Sequence, residues 1–295
     1  MQSCIALIKI YKKLRFIYMT AAKQLIKRLW ENYKAKVPTA RKVEEQLKLK
    51  NETWVEDHIA LRSFNFEHFG SHNLESFFKR FGWETIKSDY RFPKKKLTAL
   101  HMAHPDVTIP KIFISQIEVS QLSYKGGYII QKYLSGLEDQ LAHSKDVNDS
   151  IQYFLKPVWR TPSYDDYSVL IEESQYAAWT LLFGNNVNHF TISVHLMNQM
   201  KTLEEVNHFV ESLNILLNED NGKIKGSSEV FLEQSSTVAD PVLFNFSDNQ
   251  NHHVPYAFIE FARRYPINNS GIEWQDFFQG FVEGNADRIF TSTNA

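Results

Sequence analysis

Cysteine is nearly absent from this chain. Cys4 is the single one among 295 residues, which excludes an internal disulfide framework and any zinc site built from cysteines. That usage fits a reducing cytoplasm, and a cytoplasmic location is expected. An excess of charge of one sign is absent too: 33 Lys and Arg stand against 34 Asp and Glu, for a formal net charge of -1. Nucleic-acid binding needs clustered positive charge, so no nucleic-acid partner is expected. No apolar run approaches the roughly 18 to 20 residues of a membrane span. The apolar stretch over residues 5–19 is interrupted by Lys9, Lys12, Lys13 and Arg15, and no integral membrane association is expected. No small-residue cleavage site of the signal-peptide kind stands out. No acidic residue precedes Glu31, which leaves a basic amphipathic helix at a membrane surface as one reading of the start. The preferred reading is that translation begins at Met19.

What is present is a chain long enough for one large domain or two fused modules. Its 22 Phe predict a ring-rich core. Residues 1–52 read as a helical lead-in. Leu25, Leu29 and Tyr33 recur at spacing four, Pro38 breaks the run, and a second charged helix begins at Thr39 or Ala40. Residues 53–295 read as a single catalytic domain.

Within that domain one pattern occurs twice. Residues 58–64 alternate as a strand, with His58, Ala60, Arg62 and Phe64 on one face. Asn73 is placed to cap a helix with the stripe Leu74, Phe77, Phe78 and Phe81, ended by Gly82. Strands follow over 83–86, 97–102 and 111–119. This first module covers about 53–123. A helical insertion over about 124–186 comes next, with helices over 128–142 and 172–183. The second module, about 187–295, opens on a strand sharing His189, Thr191, Ser193 and His195 on one face. Thr202 to Glu205 is a capping-box signature. Strand candidates lie over 229–232, 242–246 and 256–264. The fold class is therefore α+β: two strand–helix–three-strand modules forming a barrel-like mixed sheet.

Of 11 histidines, His58 and His189 differ in context, each sitting at the start of a strand that should be buried. Glu260 lies inside Tyr256-Ala257-Phe258-Ile259-Glu260-Phe261-Ala262, where an unpaired carboxylate is expensive to bury. A metal ion would offset that cost, and two histidines with one carboxylate form the non-haem iron(II) pattern. The residues alone leave another account open, in which Glu260 pairs with Arg62, Arg263 or Arg264 and both histidines are satisfied core groups. Arg62, on the His58 face, could clamp a carboxylate through two parallel hydrogen bonds.

Asp57 to Arg62, Trp179 to Gly184 followed by Asn188-His189-Phe190-Thr191, Leu232 to Asp240, and Phe258 to Arg264 together resemble the 2-oxoadipate dioxygenase/decarboxylase family of the vicinal oxygen chelate superfamily. The resemblance runs from about Val55 to the C-terminus. It implies repeated βαβββ units and iron(II) held by His58, His189 and Glu260, with Arg62 on a substrate carboxylate and Ser235, in the segment 234–237, among the substrate contacts. It also implies conversion of 2-oxoadipate and dioxygen to 2-hydroxyglutarate and carbon dioxide, a step of lysine breakdown, so the expected partners are a small 2-oxo acid and dioxygen. An isomerase or lyase, or a non-catalytic small-molecule-binding protein, are the alternatives on the same scaffold. Oligomeric state is not legible.

Overall fold

A computed structural model describes residues 20–144, 146–267 and 276–293. Both readings of the first residues, a basic surface helix or a start at Met19, lie outside the described residues. Helix α1 covers residues 20–36 and α2 spans Pro38–Leu49. Pro38 occupies the first turn of α2, where its fixed φ suits a helix start, so α2 begins slightly earlier than the charge pattern suggests. Trp30 and Tyr33 of α1 meet the ring of Phe190 at 5.0 Å each. The lead-in thereby covers one face of the central sheet.

The first repeat is β1 (Glu56–Phe64), α3 (Ser71–Lys79), β2 (Glu84–Phe92), β3 (Leu97–Ala103) and β4 (Lys111–Ile117). Gly70, not Asn73, stands at the N-cap of α3, and Oε1 of Gln116 accepts from the Ser71 amide at 2.7 Å, supplying the missing cap from another strand. The insertion comprises α4 (Tyr124–Leu134), α5 (Gln140–His143), α6 (Val147–Ile151), α7 (Tyr164–Glu173) and α8 (Gln175–Phe183). The helix expected over 128–142 is broken after Leu134, with Gly136 at φ +75°. The one expected over 172–183 is two helices, because Ser174 leaves helical geometry and caps α8 by accepting from the Ala177 amide. Every residue of α8 but Gln175 is buried, as expected of a helix enclosed on all sides.

The second repeat is β5 (Val187–Ser193), α9 (Leu203–Ser212), β6 (Lys225–Ser227), β7 (Leu232–Ser236), β8 (Asp240–Asn245) and β9 (Asn251–Arg264). The capping box of α9 forms as read, with Thr202 and Glu205 bonded reciprocally. The strand expected over 229–232 is instead a turn: Phe231 takes φ 60°, and β7 starts after it. His195 does not stay on the β5 face, because the chain turns into a 3-10 helix at Val194–Leu196. The last described segment contains α10 (Glu283–Ile289) and a 3-10 turn, Phe290–Thr293.

Among the described residues the strands form one nine-stranded mixed sheet, β2-β3-β4-β1-β5-β9-β7-β6, with β8 added on β9. The order is symmetric about the antiparallel β1–β5 pair. Each of these strands runs parallel to the last strand of its own repeat, β1 to β4 and β5 to β9. Strand β8 falls outside the symmetry and pairs with the first half of the long β9. The sheet curls as a half-barrel, and one of its faces carries the residues considered next.

Candidate metal centre

Register brings the three ligand candidates together. His58 on β1 pairs with Thr191 on β5, and Thr191 pairs with Glu260 on β9. His58 and Glu260 thus flank Thr191 in one row. His189 lies two residues before Thr191, hence on the same face of β5. Nε2 of His58 is 3.5 Å from Oε1 of Glu260, and Nε2 of His189 is 3.3 Å from Oε2. One ligand atom from each residue lies within 4.8 Å of the others. Among the described residues this is the one cluster of at least three His, Cys, Asp or Glu so arranged.

The surroundings fix how these groups point. Nδ1 of His58 donates to Asp57 at 2.8 Å, and Nδ1 of His189 donates to Oδ1 of Asn188 at 3.2 Å. In both repeats the side chain of the preceding residue takes Nδ1, which leaves Nε2 with its lone pair toward Glu260. Thr191 places its hydroxyl 3.1 Å from Nε2 of His58. Gln234 on β7 donates to Oε1 of Glu260 at 2.7 Å. Behind His58, Asp57 is held by Arg264 at 2.6 Å.

Glu260 is fully buried, and its Oε2 accepts no hydrogen bond. Burial raises its pKa, against the opposing pull of His58 and Gln234. Burial likewise lowers His189 well below the usual imidazole range, so the ring is neutral and able to ligate. The arginine pairings open to Glu260 on sequence grounds do not form. Arg264 is engaged with Asp57, Arg263 approaches Glu233 at 3.9 Å, and Arg62 donates to Thr293. A buried carboxylate with one oxygen lacking a donor, its two oxygens facing one imidazole Nε2 each, is a donor set that fits a divalent cation. Nitrogen and oxygen ligands about 2.1 Å from one metal and adjacent in its shell stand about 3 Å apart, close to the 3.3 and 3.5 Å seen here. Two histidines with one carboxylate is the set found on non-haem iron.

Arg62 lies on the same face as His58 and is 2% exposed. Its guanidinium packs 4.9 Å from the ring centroids of both Tyr176 and Trp179 on α8, and 6.0 Å from Phe290. Nη2 donates to Oγ1 of Thr293 at 2.9 Å, whereas Nε has no hydrogen-bond partner. Burial lowers its pKa to about 10, so it remains charged at neutral pH. Tyr176, Trp179, Phe290 and Thr293 carry no sequence signal that would have joined them to Arg62.

Ser235 is placed otherwise than expected. Its hydroxyl donates to Asn207 on α9 at 2.7 Å, on the helix side of the sheet. Its neighbour Gln234 faces the metal candidates, and Ser236 shares a hydrogen bond with Ser292. The alternation of β7 therefore turns Ser235 away from the site. The cavity at the cluster measures about 20 Å³, with His58, Arg62, Gln234, Glu260, Phe281 and Phe290 in its wall.

Two βαβββ repeats closing around two histidines and a carboxylate define the vicinal oxygen chelate type of fold. A family model described as 2-oxoadipate dioxygenase/decarboxylase matches residues 6–277. The chain is 36% identical over 280 residues to the 2-oxoadipate dioxygenase/decarboxylase, chloroplastic/amyloplastic, of Oryza sativa subsp. japonica, covering 89% of this chain and 76% of that one. Its structure is similar to the crystal structure of the hydroxyglutarate synthase in complex with 2-oxoadipate from Oryza sativa, with TM-score 0.85 and 35% identity over 93% of each chain. It is also similar to that of a putative hydrolase from Shewanella frigidimarina, with TM-score 0.78 and 35% identity over 89% of this chain and 98% of the other. The chain belongs to the 2-oxoadipate dioxygenase/decarboxylase family.

Proposed function

We propose that this chain converts 2-oxoadipate and dioxygen to 2-hydroxyglutarate and carbon dioxide, a step of lysine breakdown, with iron(II) held by His58, His189 and Glu260. The observation that carries the reading is the buried, donor-free Oε2 of Glu260 facing Nε2 of His189. Family membership supplies the substrate class. Iron(II), when bound, supplies a centre that chelates a 2-oxo acid and reacts with dioxygen.

The chain's own residues do the rest. Asp57 and Asn188 fix both imidazoles so that Nε2 is the ligand atom. Gln234 satisfies Oε1 of Glu260 and stops the carboxylate from rotating. Arg62 holds the substrate's distal carboxylate through Nε and Nη2, the two donors along one edge of its guanidinium. That anchor sets which carbon faces the metal, since an unanchored chain would present several. Phe281 and Phe290 keep the cavity dry, which strengthens the charge contacts inside it.

The test is oxygen uptake by protein reconstituted anaerobically with iron(II), on addition of 2-oxoadipate, with products followed by mass spectrometry. Uptake matched one-to-one by carbon dioxide and 2-hydroxyglutarate is the expected result. No uptake with iron bound, for 2-oxoadipate and a panel of other 2-oxo acids, overturns the proposal.

A further inference from the structure

The cavity at the metal candidates is about 20 Å³. A site for one water needs roughly 10–15 Å³ on this scale, while pockets for small organic ligands run to roughly 300–1,000 Å³. A 2-oxo diacid therefore enters only if part of the wall moves. Most of the wall is strand. His58, Arg62, Phe113, Ser115, Gln234 and Glu260 all sit in ladders hydrogen-bonded to neighbours on both sides, and such ladders open last.

The remaining wall is residues 281–293, which contribute Phe281, Ala286, Ile289 and Phe290. This segment is in no described ladder. It is tied by scattered hydrogen bonds and by ring contacts, Phe281 against His58, His101 and Phe113 and Phe290 against Phe92 and Tyr176. Ser292 accepts from the Ala239 amide at 3.1 Å and from Asn218 at 2.8 Å, and its hydroxyl pairs with that of Ser236 at 2.8 Å. Asn285 donates to the Leu232 carbonyl at 3.1 Å. The ion pairs of Glu283 with Lys87, at 3.8 Å, and of Asp287 with Lys95, at 4.0 Å, are long and partly exposed, and hold little.

The segment also ends on the proposed substrate anchor. Nε and Nη2 of Arg62 lie along one edge of the guanidinium. Nη2 is taken by Thr293 and Nε is buried without a partner. A hydroxyl satisfies half of a two-donor fork that a carboxylate would satisfy in full. We propose that residues 281–293 form a cap over the metal centre that the 2-oxo diacid displaces, its distal carboxylate replacing Thr293 on Arg62. The inference rests on the functional reading above and adds how substrate gains access. Binding a diacid then includes the cost of releasing the cap, which lowers its apparent affinity.

The Ser236–Ser292 contact supplies the test. Ser236→Cys with Ser292→Cys, in a Cys4→Ser background, places two thiols where two hydroxyls lie 2.8 Å apart, within reach of a disulfide. The protein is loaded anaerobically with iron(II), oxidised with diamide, and titrated with 2-oxoadipate by calorimetry before and after reduction. The reduced form should bind. The oxidised form should bind at least tenfold more weakly at unchanged iron content, and reduction should restore it. Equal binding by both forms, with the disulfide verified by mass spectrometry, overturns the cap. Absence of binding by wild-type protein overturns the functional reading on which the cap rests. Thr293→Val gives an independent measure. It releases the cap from Arg62 and should tighten 2-oxoadipate binding by about two- to tenfold, whereas weaker binding would make Thr293 a substrate contact and contradict the exchange.

Discussion

Arg264 grips Asp57 through two parallel hydrogen bonds, Nε to Oδ2 at 2.6 Å and Nη2 to Oδ1 at 2.7 Å, while Oδ1 also accepts from Nδ1 of His58 at 2.8 Å. Burial opposes ionisation of Asp57, but Arg264 and Lys111 overcome it and hold its carboxyl well below the usual range. The charge on Asp57 in turn orients His58. Asp57→Asn should keep the fold and weaken metal affinity by about 10- to 100-fold, read from a metal titration. Arg264→Leu should act mainly on stability. It leaves a buried carboxylate without its partner, at a cost of about 3–5 kcal/mol, measurable as a lowered urea midpoint. Equal metal affinity in Asp57→Asn and wild type would remove Asp57 from the orienting role.

In the proposed function Arg62 anchors the substrate and does not hold the metal, so its replacement should separate two readouts. Arg62→Ala should leave iron binding intact and weaken 2-oxoadipate by about two to three orders of magnitude, the scale of losing one partner of a buried charge pair. A 2-oxo acid of the same length without the distal carboxylate should bind wild type and variant alike. Arg62→Lys should restore little, because an ammonium cannot reproduce the two-donor fork. Iron loss in Arg62→Ala would contradict the division of labour.

Two imidazoles outside the proposed ligand set, the buried His101 and the half-buried His195, are held neutral. Burial lowers the first to about 3 and the second to about 4, against an ordinary value of about 6.5. As pH falls below 6.5 the unfolded chain binds protons that the folded chain does not, so stability falls with it. The loss continues until pH reaches the folded values. Between about pH 5.5 and 4 the two groups together contribute on the order of 2–3 kcal/mol of lost stability per pH unit. Urea denaturation of metal-free protein at pH 7, 6 and 5 checks this, and a flat midpoint across that range would contradict it.

Much of the site was legible because its residues break local rules. Glu260 is a carboxylate inside an apolar strand, and His58 and His189 open strands of the same shape, each after an Asp or Asn. What stayed hidden has physical reasons. Strand β7 is Leu-Glu-Gln-Ser-Ser, whose polar residues face Glu260 on one side and α9 on the other, so it lacks the apolar alternation that marks a strand. The apolar residues just before it, Val230 and Phe231, drew the expected strand too early. Displacing β7 left the parity of Ser235 undetermined, and in a strand one position decides which face a side chain takes. The ring cage of Arg62 is assembled from α8 and the C-terminal turn, segments more than 100 residues apart in sequence. No spacing pattern reports a meeting of that kind. Strand β8 was read as one of the three repeat strands because its sequence gives no sign that it is an extra strand paired with the first half of β9.

The central claim is that His58, His189 and Glu260 hold one metal ion. Anaerobic titration with iron(II), followed by equilibrium dialysis and metal analysis, tests it most directly on wild type and on Glu260→Ala. One equivalent bound per chain in the wild type and none held by the variant, with both showing the same circular dichroism, is the predicted result. Full occupancy in Glu260→Ala would contradict the account.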